Sequence, residues 1–244
     1  MNAPVGRTGL KYKSHRIRER RSRILRETRH LLAEVGYEGF NVRDLCLRAE
    51  ISQKTLYNIF GVKDNVISAA IREFLNEFND FVDYGHFPDT LEGYLEGMVA
   101  IQTKNMAHRS YVAATISLYL SHTNNKTIRS TLKAMWMEAL APFVAAIEAK
   151  NGFAAGISAS AFIQVLSLAT FAVTAEWCLG GIPDEDFIDR VADTSLMIIA
   201  GSCKGRVSAQ ARRWLEDVRQ KRPSWIELRK QAEANTPMTL SLAS

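Results

Sequence analysis

Residues 41–64 constrain the fold more than any other part of the sequence, because they predict two short helices joined by a very tight turn. Asn41 and Ser52 are residue types that cap helix starts, since their side-chain oxygens accept hydrogen bonds from the first exposed backbone amides. Apolar residues then recur at helical spacing, namely Leu45 and Ala49 behind the first cap and Leu56 and Phe60 behind the second. Only two residues separate the helices, so they must cross steeply. This arrangement is typical of a helix-turn-helix, whose second helix enters a DNA major groove.

Two segments in this region carry a resemblance to a known family. Residues 53–64, QKTLYNIFGVKD, resemble the T-L-Y-x-x-F-x-x-K-[DE] signature of the TetR (tetracycline-repressor) family, and residues 36–42, GYEGFNV, resemble the segment that precedes it. The resemblance covers about residues 20–66. It implies an all-α protein with an N-terminal three-helix helix-turn-helix DNA-binding domain and a larger helical domain for ligand binding and dimerisation.

The resemblance also implies roles for individual residues in DNA binding. Arg43 and Gln53 would face bases, while Lys63, which is expected to be exposed, would hold a phosphate beside a helix N-terminus. The full set of expected DNA-binding residues is Asn41, Arg43, Gln53, Lys54, Thr55, Tyr57, Asn58 and Lys63. The sequence departs from the family at Glu50, where glycine is usual in the turn. If this residue is left-handed, it costs about 1 kcal/mol relative to glycine.

The charge distribution separates a basic N-terminal part from an acidic middle part. Residues 1–72 carry 15 Lys and Arg against 7 Asp and Glu, residues 73–205 carry 8 against 15, and residues 206–244 carry 8 against 4. A basic unit on an acidic body is typical of a DNA-reading domain attached to a domain that avoids DNA. A chance asymmetry would give the same numbers, and the motif favours the first interpretation.

We predict four parts from these patterns. Residues 1–13 form a disordered basic arm, 14–66 the helix-turn-helix domain, 67–205 the effector-binding and dimerisation domain, and 206–244 a basic C-terminal tail. The first helix is predicted to begin at Ser14 and end near Val35. No alternation typical of strands occurs in the sequence.

Residue patterns that carry catalysis or bind metals are missing from the sequence. The three cysteines are widely spaced, which predicts reduced thiols in a cytoplasmic protein. The five histidines form no metal-binding spacing, and no nucleotide-binding or hydrolase motif occurs. We therefore expect neither an enzyme nor a cofactor.

Residues 154–175 contain no charged side chain, a length that raises the question of a transmembrane helix. The high content of Ala, Ser and Thr, with Gln164 inside the segment, favours a helix that is buried or paired with a partner. We expect no membrane association. Instead, residues 158–179 and 184–202 are predicted to pair with their copies in a four-helix homodimer interface.

Aromatic residues and methionines in the middle helices are core packing by default, yet the resemblance implies a pocket for a small apolar effector among them. The expected pocket residues are Met98, Tyr111, Trp136, Phe171, Glu176 and Trp177. The function that follows is a ligand-responsive transcriptional regulator, typically a repressor, that binds a near-palindromic double-stranded DNA operator as a homodimer. The alternative is an all-helical binding or scaffold protein without operator recognition, and DNA titration at two salt concentrations separates the two.

Overall fold

The computed structural model describes residues 7–79, 85–121 and 126–236, and within them the chain is almost entirely helical. Eleven helices follow one another in this part of the chain: α1 (Arg7–Gly39), α2 (Val42–Arg48), α3 (Gln53–Phe60), α4 (Lys63–Asn79), α5 (Leu91–Ala107), α6 (Arg109–Leu120), α7 (Lys126–Ala149), α8 (Ala159–Cys178), α9 (Asp184–Ser202), α10 (Gly205–Arg219) and α11 (Pro223–Ala234). The one β feature described is an isolated bridge between Phe153 and Cys203. The all-α prediction is confirmed.

The first three helices and the start of α4 form an N-terminal head around a common apolar core. Ile24 of α1, Leu45 of α2, Leu56 of α3 and Val66 of α4 are all at most 2% exposed. Helices α2 and α3 would be unstable alone, because a helix of seven or eight residues makes few internal hydrogen bonds. Their shared core therefore holds α3 in place, as the predicted helix-turn-helix domain requires.

The start of α1 differs from the prediction. The helix begins at Arg7 and not at Ser14, so the expected disordered arm is wrong for residues 7–13, while residues 1–6 lie outside the described residues. Residues 7–13, RTGLKYK, can continue a helix that already has an anchored C-terminal half, because propagation adds a hydrogen bond for each residue fixed. At its other end the regular helix stops where predicted, since Gly36 has a left-handed φ of 65°.

The body consists of α5 to α11, and the buried side chains of α5 to α9 continue the apolar core that begins in the head. Helix α4 extends from the head into this body and packs against both α1 and α7. Helix α7 continues through Pro142, where a break or kink was predicted. Helices α8 and α9 are neighbours joined by the short turn at residues 179–183, and their bounds agree with the prediction.

Residues 206–234, predicted as part of a basic C-terminal tail, form two helices that belong to the body. Helix α10 packs along α9, and α11 packs on α5. Trp225 is 1% exposed, and its indole N–H donates to Asp189 at 2.9 Å. Arg219 and Arg229 form ion pairs with Asp193 and Asp189 on α9. The basic composition concealed this packing because the acidic partners of these two arginines lie 26 and 40 residues earlier in the chain.

Helix α8 is the one described helix that is long and apolar enough to cross a membrane, a test that core helices of soluble proteins also meet. Its side chains Phe162, Leu166 and Trp177 are at most 1% exposed inside the body. The three cysteines are free thiols, and burial raises the pKa of each, that of Cys203 to about 11. Such thiols are poorly reactive at neutral pH.

Candidate DNA-binding surface and ligand cavity

The two short helices of the head are capped as their sequences predict. Asn41 accepts the backbone N–H of Arg43 at 2.8 Å, and Ser52 accepts that of Thr55 at 3.1 Å. Glu50, in the turn between them, has a φ of 51°, so the left-handed residue that the family usually fills with glycine is present here as glutamate. Arg48 of α2 donates two hydrogen bonds to Glu34 of α1, at 2.7 and 2.6 Å. These bonds hold the pKa of the Glu34 carboxyl below its ordinary value.

Helix α3 has one face in the core and one face open to solvent. Leu56 and Phe60 are buried, and the Arg21 guanidinium of α1 lies 4.9 Å from the Phe60 ring centroid. The opposite face exposes Gln53, Lys54, Tyr57 and Asn58, and Tyr57 is 46% exposed. The structure therefore brings these four predicted residues together on one solvent-facing surface, which we call the α3 reading face.

The other predicted DNA-binding residues lie around this face. Arg43 is exposed on the first turn of α2, and Asn41 is exposed but uses its side-chain oxygen as the cap. Thr55 is half-buried, and its hydroxyl lies 2.9 Å from that of Ser52. Its first contribution is therefore to the start of α3, where it orders the residues of the reading face.

Lys63 is placed differently from the expectation that it would be exposed. Its ammonium group donates to the backbone carbonyl of Tyr37 at 2.9 Å and lies 4.1 Å from the Tyr37 ring centroid. Burial lowers the pKa of this lysine below its ordinary value. The Tyr37 hydroxyl donates to Asp64 at 2.7 Å, and burial together with this bond raises the pKa of Tyr37 to about 12. Lys63 thus fixes the end of α1 to the start of α4.

The body contains an apolar cavity of about 120 Å³ between α4, α5, α6, α7 and α8. Tyr111, Trp136 and Phe171 line it, as predicted, and Phe171 packs edge-on against Trp136 with ring centroids 5.6 Å apart. Polar groups are few, which is usual for a ligand pocket. Thr115, Thr170 and Thr174 line the cavity, and each hydroxyl donates to the carbonyl four residues earlier in its own helix. Each hydroxyl oxygen can still accept a hydrogen bond from a ligand.

Three predicted pocket residues lie elsewhere. Met98 is buried in the core but does not line the cavity, and Glu176 is exposed near the C-terminus of α8. Trp177 is fully buried, stacks on Phe187 of α9 with centroids 4.3 Å apart, and donates its indole N–H to Asp184 at 2.7 Å. Adjacent residues on a helix point about 100° apart, so Glu176 and Trp177 could not both share the face of Phe171.

Sequence reasoning missed the contribution of α4 to the cavity. Ile71, Phe74 and Leu75 line it from this helix, whereas Val66 and Ile67 of the same helix are buried in the head. The apolar residues of α4 recur at helical spacing along its whole length, and this pattern indicates that both ends of the helix are buried. The helix that follows the reading face therefore also forms one wall of the cavity.

Comparisons with known proteins agree with this geometry. Residues 24–70 match the family described as bacterial regulatory proteins, tetR family. TylP, a TetR regulator from Streptomyces fradiae, shares the fold with a TM-score of 0.62 and 15% identity, over 95% of this chain and 97% of that one. A TetR-family transcriptional regulator from Rhodococcus sp. gives 0.58 and 16%, over 74% and 98%.

A third structure, Thermus thermophilus FadR in complex with lauroyl-CoA, gives a TM-score of 0.52 and 16% identity, over 74% of this chain and 94% of that one. No curated protein sequence matches this chain. At such identities the structures show a shared fold, and the family match identifies the head. Residues 24–70 thus match the tetR family of bacterial regulatory proteins, and the chain as a whole shares the fold of solved TetR-family regulators.

Proposed function

We propose that this protein is a ligand-responsive transcriptional repressor that binds a near-palindromic operator as a homodimer. The observation that carries the proposal is the α3 reading face, on which Gln53, Lys54, Tyr57 and Asn58 are exposed together above a fully buried core. A short helix supported in this way fits the major groove, where such side chains reach base edges and phosphates. The arginines of α1 add positive charge beside it, with Arg16, Arg18, Arg20 and Arg21 all exposed.

DNA selected by the protein from a random pool provides the test of the reading face. Affinity should fall steeply with salt, because phosphate contacts release counterions. Tyr57→Ala should weaken binding by about 1–3 kcal/mol, roughly 5- to 150-fold, without unfolding the protein. Phe87→Ala removes a ring that is 79% exposed in the body and serves as the matched control. Equal affinity of wild type and Tyr57→Ala would remove α3 as the reader and favour the scaffold alternative.

The exposed side of α8 and α9 supports the homodimer. Ala161, Val165, Leu168 and Ala172 recur every three or four residues on the exposed face of α8, and Met197 and Gly201 lie on that of α9. Val165, Leu168 and Met197 are 52%, 42% and 46% exposed in the single chain, so this apolar strip has no partner among the described residues. A second copy related by a two-fold axis would cover it with the same strip.

Sedimentation of charged variants tests the dimer. Leu168→Arg and Met197→Arg should shift the dimer toward monomer, since a charge at a buried interface costs about 2–5 kcal/mol. Ile226→Arg places the same charge on α11, at a side chain that is 53% exposed and outside the strip, and should leave the dimer intact. A wild-type protein that sediments as a monomer at micromolar concentration would contradict the proposal.

The position of α4 supports ligand control. Ile71, Phe74 and Leu75 of α4 line the cavity, so a ligand that displaces these side chains would move a helix whose other end is buried in the head through Val66 and Ile67. The ligand acts only if it binds one arrangement of α4 better than the other, and couplings of this kind are about 1–3 kcal/mol, or 5- to 150-fold in operator affinity.

Filling the cavity provides the test of ligand control. Ala139 lines the cavity and is also exposed to solvent, so Ala139→Phe adds a ring at the open side of the cavity and should abolish ligand-induced changes in tryptophan fluorescence and in operator affinity. Ala145→Phe places the same ring on an exposed position of α7 and should leave both responses unchanged. A response to ligand that survives in Ala139→Phe would show that the effector binds elsewhere.

A further inference from the structure

A second cleft lies beside the apolar cavity and differs from it in chemistry. It has a volume of about 260 Å³ and lies between the end of α6, the first half of α7 and the first half of α8. Its walls carry the polar and basic side chains Arg129, Lys133, Ser160, Gln164 and Ser167, together with the ring of Tyr119. None of the residues that line it is acidic.

The two basic residues of this cleft have no acidic partner. Arg129 and Lys133 are exposed one turn apart on α7, and no ion pair with either occurs among the described residues. Like charges at this spacing repel each other, which destabilises the helix slightly. The neighbouring sequence supplies no acidic residue to offset this repulsion, since no Asp or Glu occurs between residues 97 and 137 or between 149 and 175. A strongly cationic cleft in an otherwise acidic body is a place where an anion would be stabilised.

One layer of aromatic side chains separates this cleft from the cavity. Tyr119 lines the cleft and Phe171 lines the cavity, and their ring centroids are 4.2 Å apart. The two spaces also share helix surfaces, because Ser167 in the cleft lies one turn before Phe171, and Lys133 one turn before Trp136. Rotation of the Tyr119 and Phe171 side chains would therefore join the apolar space to the cationic one.

We propose that the cavity and the cleft together bind an amphipathic anion, with its apolar body against Trp136 and Phe171 and its anionic group between Arg129 and Lys133. The amide of Gln164 and the hydroxyl of Ser160 offer further hydrogen-bond donors at the anionic end. This inference rests on the proposed effector function and narrows the effector from any small apolar molecule to a carboxylate or a phosphate ester on an apolar chain. Charge-assisted hydrogen bonds are the strong ones, so the anionic group would supply much of the selectivity.

Four ligands with one alkyl chain test the proposal on the full-length protein: decanoate, decyl phosphate, decanol and decylamine. Their affinities are measured through Trp136 fluorescence and by calorimetry. At least one of the two anions should bind about tenfold or more tighter than decanol. The stronger of the two distinguishes a carboxylate from a phosphate ester. Arg129→Gln and Lys133→Gln should remove most of this advantage while leaving the affinity for decanol unchanged.

Lys126→Gln is the matched control, because Lys126 is exposed on the same helix but does not line the cleft. Equal binding of anions and decanol, with no effect of Arg129→Gln or Lys133→Gln, would overturn the anion inference and leave the ligand cavity standing. Tightest binding of decylamine would also overturn it. If none of the four ligands binds, the inference fails, while operator binding measured on the same samples tests the reading face separately.

Discussion

The buried ion pair between Arg29 and Glu73 should be one of the strongest single determinants of stability where the head joins the body. Arg29 of α1 donates to Glu73 of α4 at 2.9 Å, and the two side chains are 6% and 20% exposed. The Ser22 hydroxyl also donates to Glu73, at 3.3 Å. Glu73 directly precedes Phe74, which lines the cavity, so the pair lies between the reading face and the ligand site.

Removing one member of this pair would leave the other charge buried and without this ion pair. Such losses cost about 3–5 kcal/mol, and the partial exposure of Glu73 places Glu73→Gln near the lower end, about 3 kcal/mol. Replacing both residues together, as Arg29→Met with Glu73→Leu, removes the uncompensated charge and should cost less than Glu73→Gln alone. Urea unfolding measures the stability of the wild type and of both variants. The protein concentration is kept the same throughout, because the stability of a dimer depends on concentration.

Arg72 and Glu138 supply the matched control. They form an ion pair of 3.3 Å between α4 and α7, but their side chains are 41% and 65% exposed. Arg72→Gln should therefore cost less than about 1 kcal/mol. If Glu73→Gln lowers the free energy of unfolding no more than Arg72→Gln does, burial does not determine how much this pair stabilises the protein, and the argument is refuted. It is also refuted if the double substitution lowers the free energy of unfolding by as much as the sum of the two corresponding single substitutions.

Three further predictions concern stability. Glu50→Gly should stabilise the fold by up to about 1 kcal/mol by relieving the left-handed backbone, and a loss of stability in urea unfolding would contradict this. The Tyr37 hydroxyl has a pKa raised to about 12, so its stabilising contribution is complete below the unfolded value near 10 and is lost as pH rises toward 12. Tyr37→Phe should therefore flatten the fall in stability between pH 10 and 12, and an unchanged slope would exclude this group as its source. Trp225→Ala should cost about 3–5 kcal/mol in the same unfolding assay, whereas a cost below about 1 kcal/mol would mean that α11 is a dispensable tail.

The head could be predicted in detail because its determinants are local in sequence. The caps Asn41 and Ser52, the buried Leu56 and Phe60, and the exposed Tyr57 follow from residue type and helical spacing alone. The left-handed backbone at Glu50 was raised only as a condition, because the resembling family usually has glycine at this position. The solvent exposure of Lys63 was predicted wrongly, because its hydrogen-bond partner Tyr37 lies 26 residues away in the sequence.

The body could be predicted as helices but not as a site. Periodicity predicted the bounds of α8 and α9. The cavity residues Tyr111, Trp136 and Phe171 were predicted from their apolar, aromatic character together with the family resemblance. Which face of each helix meets the cavity depends on helix rotation, and the sequence does not state it. Trp177 was therefore assigned to the cavity although it packs against Phe187 of α9.

The sequence by itself determined the all-helical fold, the helix-turn-helix and the residues that its second helix exposes, because caps, turns and a period of 3.6 residues act over a few positions. Only the tertiary structure decided that the basic C-terminal segment closes the body, that α4 serves both the head and the cavity, and that Arg129 and Lys133 lie beside that cavity. Each of these depends on contacts between residues far apart in the chain, whose pairing is set by packing and by charge partners on other helices.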